Sequence, residues 1–507
     1  MLRSLTRVFD IRPGERRLTA LMALSYFLLL STFYFLKSAR DSLFLFKLTP
    51  EQLPLVFIVS ALASIPIAGF YIRASRRLSL LNLIVGTSFV LIACLVLLRY
   101  LLAVGSSWVF YAFYAWVGVY GILVTALFWL LANAVFDVQQ AKRLFTFLGA
   151  AGILGAFCAG EATSLLINRV HLATENLIIL AAAILVLATL VIAQLAKLHH
   201  ESTRERESSA RPEDGSTLPT IEVLQTVRKS RLLQTIVALI AVAVMTSTII
   251  DFVFKEICFN AYGGSKQELT AFFGVFYGRV SLLALVIQLL LTYPLVRRLG
   301  VGGVIVIMPL TLIGTSLGVI VAPLLLPALA LKGSEGLLEY SADRSGRELL
   351  FMPLSLDLKK RVKVFVDVFV DRLFRGVAGV VLLVATGVFA FGARQMAVIA
   401  AVLALVWLLI ALVVRREYVE TFRLAIEHRD IDISDLRTAI DDSQTLKMLT
   451  GYLSSPHERQ VTYALDLLKS ARDPSLVESI SSLLRHASPE VRRRAVEVLQ
   501  EYHELVK

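Results

Sequence analysis

Long apolar windows recur along the chain, and no other feature restricts its fold as strongly. Stretches of roughly 18 to 25 mostly apolar residues, the length that crosses a bilayer core, fall at about 18–46, 52–72, 79–103, 107–136, 144–168 and 176–197. They return at about 231–258, 268–296, 301–322, 323–345, 364–391 and 394–414. The expected fold is all-α: a polytopic membrane protein with twelve transmembrane helices in two six-helix halves, embedded in a lipid bilayer. The tenth window is the weakest, because Lys332, Glu335, Glu339 and Asp343 interrupt it. Composition agrees, with 57% hydrophobic and 18% charged residues and a mean hydropathy of +0.73, beyond the apolar share of a soluble domain.

Flanking charge tests the count, since Lys and Arg concentrate in short cytoplasmic loops. Arg12, Arg16 and Arg17, then Arg73, Arg76 and Arg77, Lys142 and Arg143, Arg228 and Lys229, Arg297 and Arg298, Lys359 to Arg361, and Arg415 and Arg416 all fall on one side. The opposite loops offer little beyond Lys47, Arg169, Lys266 and Arg394. Both termini are therefore expected in the cytoplasm, and a bacterial inner membrane fits this topology. The net charge of +12 reads as the same signal, so it calls for no nucleic acid partner. Cys94, Cys158 and Cys258 sit in separate windows and read as buried thiols. The basic N-terminus, MLRSLTRVFDIRPGERR, is too polar for a signal-peptide core and reads as a short surface helix.

Five segments follow. Residues 1–17 are a cytoplasmic N-terminal segment, 18–198 the N-terminal half, 199–230 a cytoplasmic linker rich in Ser, Arg, Glu and Pro, 231–414 the C-terminal half, and 415–507 a soluble tail. The halves echo weakly in KRLFTFLGAAG from Lys142 and DRLFRGVAG from Asp371. Six plus six around a central cytoplasmic loop is the layout of the major facilitator superfamily. In the tail, Leu453, Ala464, Leu465 and Leu468 recur 31 residues later as Leu484, Ala495, Val496 and Leu499. Helix pairs of this period resemble HEAT repeats, which serve either as a packing module or as a site for a cytoplasmic protein partner.

Charges inside the windows mark candidate sites, because an ionisable group at mid-membrane costs about 2.5 to 3.5 kcal/mol and normally faces a cavity. Lys37, Arg40 and Asp41 share one helical face at i, i+3 and i+4; Asp251 and Lys255 lie one turn apart; Lys363, Asp367, Asp371 and Arg375 form an i+4 ladder; Glu161 and Arg279 stand singly. Arg40 and Arg375 suit a clamp on phosphate or carboxylate oxygens, with Asp251 and Lys255 as a gating or coupling pair. Lys37, Asp41, Glu161, Arg279 and Asp371 are further gating or coupling candidates. Neutralisation within helix packing is the competing reading, strongest for Lys363, Asp343 and Asp367 near the cytoplasmic end. Tyr34, Phe128, Trp129 and Phe272 could stack on a ring, with packing the commoner role. Gly149, Gly152 and Gly155 suggest close helix contact. The chain has no G-x-x-x-x-G-K-[ST] loop, and its seven histidines form no HExxH pair; an enzyme, a metal site and a cofactor are not expected.

Four blocks carry a resemblance: KSARDSLF (37–44), LFWLLANAVFDVQQAKRLFTFLGAAGILGAFCAG (127–160), IIDFVFKE with ELTAFFGVFYG (249–278), and RELLFMPLSLDLKKRVKVFVDVFVDRLFRGVAG (347–379). They are similar to the ATP/ADP translocase family of nucleotide transporters, whose fold is of the major facilitator type. The resemblance implies that the family's first-helix lysine falls on Arg40, its seventh-helix glutamate on Asp251 ahead of Lys255, and its late lysine on Arg375. Its fourth-helix glutamate falls near Val117, so that carboxylate is absent. The sign of charge survives at three positions while every identity changes. What this implies is a secondary transporter of an anionic small molecule, with ATP or ADP or another phosphorylated anion as cargo. The alternatives are a membrane scaffold or sensor acting through the tail repeats, and a transporter or flippase of an anionic lipid.

Overall fold

The computed structural model describes residues 12, 15–77, 80–198, 221–263, 265–354, 356–428, 449–454, 458–469 and 476–506. The surface helix expected at the extreme N-terminus and most of the expected linker lie outside them. Every described element is helical, as lipid requires of a spanning backbone whose hydrogen bonds must close internally. In the N-terminal half these are α1 (Arg16–Leu48), α2 (Leu53–Arg77), α3 (Leu80–Val104), α4 (Ser107–Val135), α5 (Val138–Asn168) and α6 (Asn176–Leu198). A short α7 (Ile221–Lys229) then precedes α8 (Arg231–Tyr262), α9 (Lys266–Leu290), α10 (Thr292–Val321), α11 (Leu325–Leu338), α12 (Arg344–Leu350), α13 (Leu356–Val364), α14 (Asp371–Gly387) and α15 (Ala393–His428).

Among the described residues, nine helices are long and apolar enough to cross a membrane. The other three expected spans are also helical, and two of them are interrupted. Helix α2 carries Pro66, α11 passes into α12 through a π-helical turn at Glu339–Asp343, and α13 passes into α14 through another at Phe365–Val370. Such turns widen the helix and gather at functional positions; here they fall on the charges that weakened those windows.

Polar residues on the long helices are satisfied locally. The hydroxyls of Ser25, Thr32, Ser38 and Ser42 on α1 donate to carbonyls four residues earlier at 2.8 to 3.0 Å, so they need no distant partner. Asp137 caps α5 by accepting from the Gln140 amide at 2.8 Å, while the Gln140 side chain accepts from the Asp137 amide at 3.0 Å, a reciprocal cap.

Small residues let the two halves meet. A Cβ on Gly160 of α5 would lie 2.3 Å from the Gly274 carbonyl oxygen of α9, and one on Gly379 of α14 would lie 3.0 Å from the Pro54 carbonyl oxygen of α2. Gly152 and Gly155 admit Tyr26 and the Phe27 backbone of α1 in the same way, whereas Gly149 faces open space. Cys258 is buried and Cys94 half-buried, but Cys158 is exposed on the outside of α5, against the expectation of three buried thiols.

The described tail comprises residues 449–454, α16 (Glu458–Leu468), α17 (Val477–Ser482) and α18 (Pro489–Val506). Ala464 and Ala495 are both buried, yet Leu484 and Val496 are about two-fifths exposed (40% and 42%), and Leu483 and Val498 occupy the core instead. The second half of the 31-residue correspondence is thus turned by about one position. Tyr502 ties α18 to α16 by donating to the Leu468 carbonyl at 2.8 Å.

Candidate functional site

Asp41, fully buried on α1, is the hub of an ion network that joins the halves. Its carboxylate meets the Arg40 guanidinium at 2.8 Å and the Lys255 ammonium of α8 at 3.3 Å, and accepts from the Tyr277 hydroxyl of α9 at 2.9 Å. Lys255 donates in turn to Asp251 at 2.6 Å and to the Tyr114 hydroxyl of α4 at 2.5 Å. The other oxygen of Asp251 meets Lys332 of α11 at 3.2 Å, and Lys332 meets Glu335 at 2.6 Å. The i, i+4 spacing of Asp251 and Lys255 makes their pair local; the bond from Lys255 to Asp41 crosses from one half to the other.

Lys37 behaves differently from its neighbours. Among the described residues it forms no ion pair, and its ammonium lies 3.8 Å from the centre of the Tyr277 ring, a cation–π contact. Arg40 rests on the Tyr114 ring at 4.2 Å.

The far end of α1 is sealed. Thr270 of α9 donates to Ser42 at 2.7 Å and lies 2.9 Å from the Thr174 hydroxyl, all three buried. Beside them Lys266 pairs with Glu175 at 2.6 Å. Burial pushes the Glu175 carboxyl up, but the Lys266 hydrogen bond, a backbone hydrogen bond and the charges of Lys266 and Arg99 together outweigh it and hold the group below the usual carboxylate range.

Toward the other end lies a cavity of about 380 Å³ among α8, α10, α12, α13, α14, α15 and the two π-helical turns, lined by Arg344, Arg347, Arg372, Arg375 and Lys363 and by Glu339, Glu348, Asp367 and Asp371. Asp371 lies 3.1 Å from Arg375 and 3.6 Å from Arg372. Lys363 meets Glu348 at 2.5 Å, and Arg347 pairs with Asp343. Arg344 is exposed and forms no ion pair among the described residues.

Of the residues expected from sequence, Arg40, Asp41, Asp251 and Lys255 come together, while Arg375 and Asp371 line the cavity. Lys37 adjoins the network without joining it. Glu161 and Arg279 are not single charges: they pair with each other at 2.7 Å across the α5–α9 seam, with Arg279 62% exposed, so they face outward. Tyr114, Tyr277 and Ser247 carried no sequence signal, being three among many aromatics and hydroxyls. Lys332 and Glu335 were visible as misplaced charges but not as partners of Asp251. The aromatics pack: Phe128 stacks on Tyr26 at 3.9 Å and Phe272 on Tyr262 at 4.8 Å. Among the described residues no group of His, Cys, Asp or Glu gathers to hold a metal.

Comparison with known proteins adds the family context. The family described as TLC ATP/ADP transporter matches residues 85–326. Proteins named ADP,ATP carrier protein 3 from Rickettsia felis and Rickettsia prowazekii are 25% and 26% identical over 184 residues, 30% of this chain. The chain spans about 37% of the length of these curated relatives. Among solved structures, a variant of the nucleoside transporter NupG superposes with a TM-score of 0.60 at 13% identity, covering 78% of this chain and 99% of that one. A bacterial homologue of the iron transporter ferroportin, inward-facing, gives 0.53 at 13% identity, covering 80% and 98%. A POT family transporter gives 0.54 at 12% identity, covering 79% and 96%. At these identities the structures establish fold alone. The chain shares the fold of these transporter structures, and over residues 85–326 it is similar to the TLC ATP/ADP transporter family.

Proposed function

We propose that this protein is a secondary transporter that moves an anionic solute, a nucleotide or another phosphorylated anion, by rocking its two halves about a central site. The observation that carries the reading is the ion network through Asp41 and Lys255, which joins the halves at the sealed end while a cavity rich in arginine stays open toward the other. Breaking that bond and forming another seal elsewhere is what alternating access requires. In this reading the chain crosses a bacterial inner membrane twelve times with both termini in the cytoplasm, so the arginine cavity faces inward. Arg40 and Arg375 grip the anion, with Asp251 and Lys255 as the gating pair. The tail helices are a HEAT-like module that docks a cytoplasmic protein. Uptake of labelled ATP, ADP and orthophosphate into proteoliposomes tests the transport reading. Wild-type uptake should fall at least about tenfold, a loss of about 1.4 kcal/mol, in Arg40→Ala and in Arg375→Ala; unchanged uptake in both would remove them from the site.

A further inference from the structure

Glu335 is a carboxylate with 1% of its side chain exposed, set one hydroxyl away from the cavity. The Ser247 hydroxyl lines the cavity and donates to Glu335 behind it. The other oxygen of Glu335 lies 2.6 Å from Lys332, which it shares with Asp251. We infer that Glu335 is a proton-binding site, loaded from the cavity through Ser247, that couples a proton gradient to anion movement. The inference rests on the transport reading above.

The groups around Glu335 allow this and little else. On its own helix it meets Lys332 and, one turn on, Glu339. Helix α8 supplies Ser247 and, through Lys332, Asp251. Helix α9 approaches with Val280 against Gly336, while its Tyr277 and Ser281 are engaged with Asp41 and Tyr34. Residues 301–321 of α10 contain no ionisable group and offer only Thr315, 3.5 Å from Ser334. Among the described residues Lys332 is thus the single cation held directly against this carboxylate.

Charge balance supplies the coupling. Arg40, Lys255 and Lys332 alternate with Asp41, Asp251 and Glu335 in one chain of contacts, so the chain is neutral with all six charged. In one concerted relay Ser247 passes its proton to Glu335 while its oxygen takes a proton from a hydronium ion in the cavity, which leaves as water. The hydroxyl is regenerated, Glu335 becomes a neutral acid, and the chain gains one positive charge. An arriving anion restores the balance in a medium where uncompensated charge is costly. Proton and anion therefore strengthen each other's binding by the same factor, which makes the two travel together.

The test uses the full chain in proteoliposomes, with labelled ATP, ADP and orthophosphate as probes. Two modes are read: exchange without a gradient, and accumulation under an imposed gradient of about one pH unit, for which one coupled proton sets a ceiling of about tenfold. Wild type should do both, and Glu335→Gln should exchange but accumulate nothing beyond equilibrium. Ser247→Ala, a milder change, should lower the rate of gradient-driven uptake relative to exchange at least about fivefold. Exchange in wild type with no response to the gradient, or full accumulation in Glu335→Gln, overturns the proton site and leaves the transport reading standing. Absence of exchange and uptake for all three probes in wild type overturns both.

Discussion

Neutralising Asp41 is the sharpest test of whether the ion network holds the halves together. At an effective dielectric of about 20, the 3.3 Å approach of Lys255 to Asp41 is worth about 5 kcal/mol of attraction. Removing these charges from water costs several kcal/mol each, so the intact pair adds little net stability, yet deleting one partner costs about 3 to 5 kcal/mol. Asp41→Asn should fall at the low end, about 3 kcal/mol, because Lys255 keeps Asp251 at 2.6 Å and Tyr114 at 2.5 Å. Lys255→Met should cost a similar amount, since Asp251 retains Lys332 and Asp41 retains Arg40. In the double variant the Asp41–Lys255 attraction is lost once rather than twice, so the total should fall short of the sum by about 2 kcal/mol, as coupled neighbours do. Unfolding in mixed micelles with a denaturing detergent, followed by tryptophan fluorescence, measures all four corners of the cycle. Additivity within about 0.5 kcal/mol, the behaviour of independent sites, would mean that the two charges do not share their burial and that the seal lies elsewhere.

Three further outcomes are expected. Gly160→Ala sets a Cβ 2.3 Å from the Gly274 carbonyl and should destabilise by about 1 to 3 kcal/mol through overpacking, whereas Gly149→Ala, in open space on the same helix, should be neutral or stabilise by up to about 1 kcal/mol; the same micelle unfolding measures both. Burial pushes the Glu175 carboxyl up, but its hydrogen bonds and the charges of Lys266 and Arg99 together hold it below the usual carboxylate range, so its contribution to the seal is complete above about pH 4.3, the ordinary value, and is lost as pH falls through the lower folded value. Maleimide labelling of a cysteine placed at Thr270 should therefore be slow at neutral and mildly acidic pH and rise only in stronger acid, while Glu175→Gln should label fast at every pH. Lys37→Ala and Arg344→Ala should each weaken the binding of the transported anion at least tenfold, about 1.4 kcal/mol, as read by titration calorimetry.

Much of the fold was legible because spanning a bilayer imposes a length and a composition that any reader of the sequence can measure. The windows at 18–46 and 231–258 became α1 and α8 with their interiors intact. Hydropathy could not say how a charged window would be accommodated: α1 and α8 stay regular around Lys37, Arg40, Asp41, Asp251 and Lys255, whereas the tenth and eleventh windows pass through π-helical turns at Glu339–Asp343 and Phe365–Val370. The site was legible in part for the same reason: a charge in hydrocarbon is conspicuous, so Asp41, Asp251 and Lys255 stood out. Their partners did not, because pairing is decided by which helices pack. Lys37 and Asp41 are one turn apart on α1 and should pair by local rules, yet Arg40, Lys255 and Tyr277 fill the Asp41 carboxylate and turn Lys37 to an aromatic face. Glu161 and Arg279, separated by 118 positions, meet only because Gly160, Gly274 and Gly278 let α5 and α9 touch.

The distribution of partners also ranks the cations by what an anion must displace to reach them. Arg40 is held to Asp41 at 2.8 Å and Arg375 to Asp371 at 3.1 Å, so an anion that takes either one must strip a carboxylate and leave it exposed to its own charge. Among the described residues Lys37 and Arg344 form no ion pair, and they lie in opposite halves: one on α1 beside the network, the other beyond the π-helical turn of α11 at the cavity wall. On the transport reading proposed above, an anion meeting these two first displaces no ion pair, and then draws on Arg40 and Arg375 only as their carboxylates are released. That order joins the halves through the solute itself, and releasing Asp41 from Arg40 weakens the hub that keeps the far end shut. Binding and opening are then one exchange of ionic partners, which is how a site made almost wholly of paired charges can respond to a single anion.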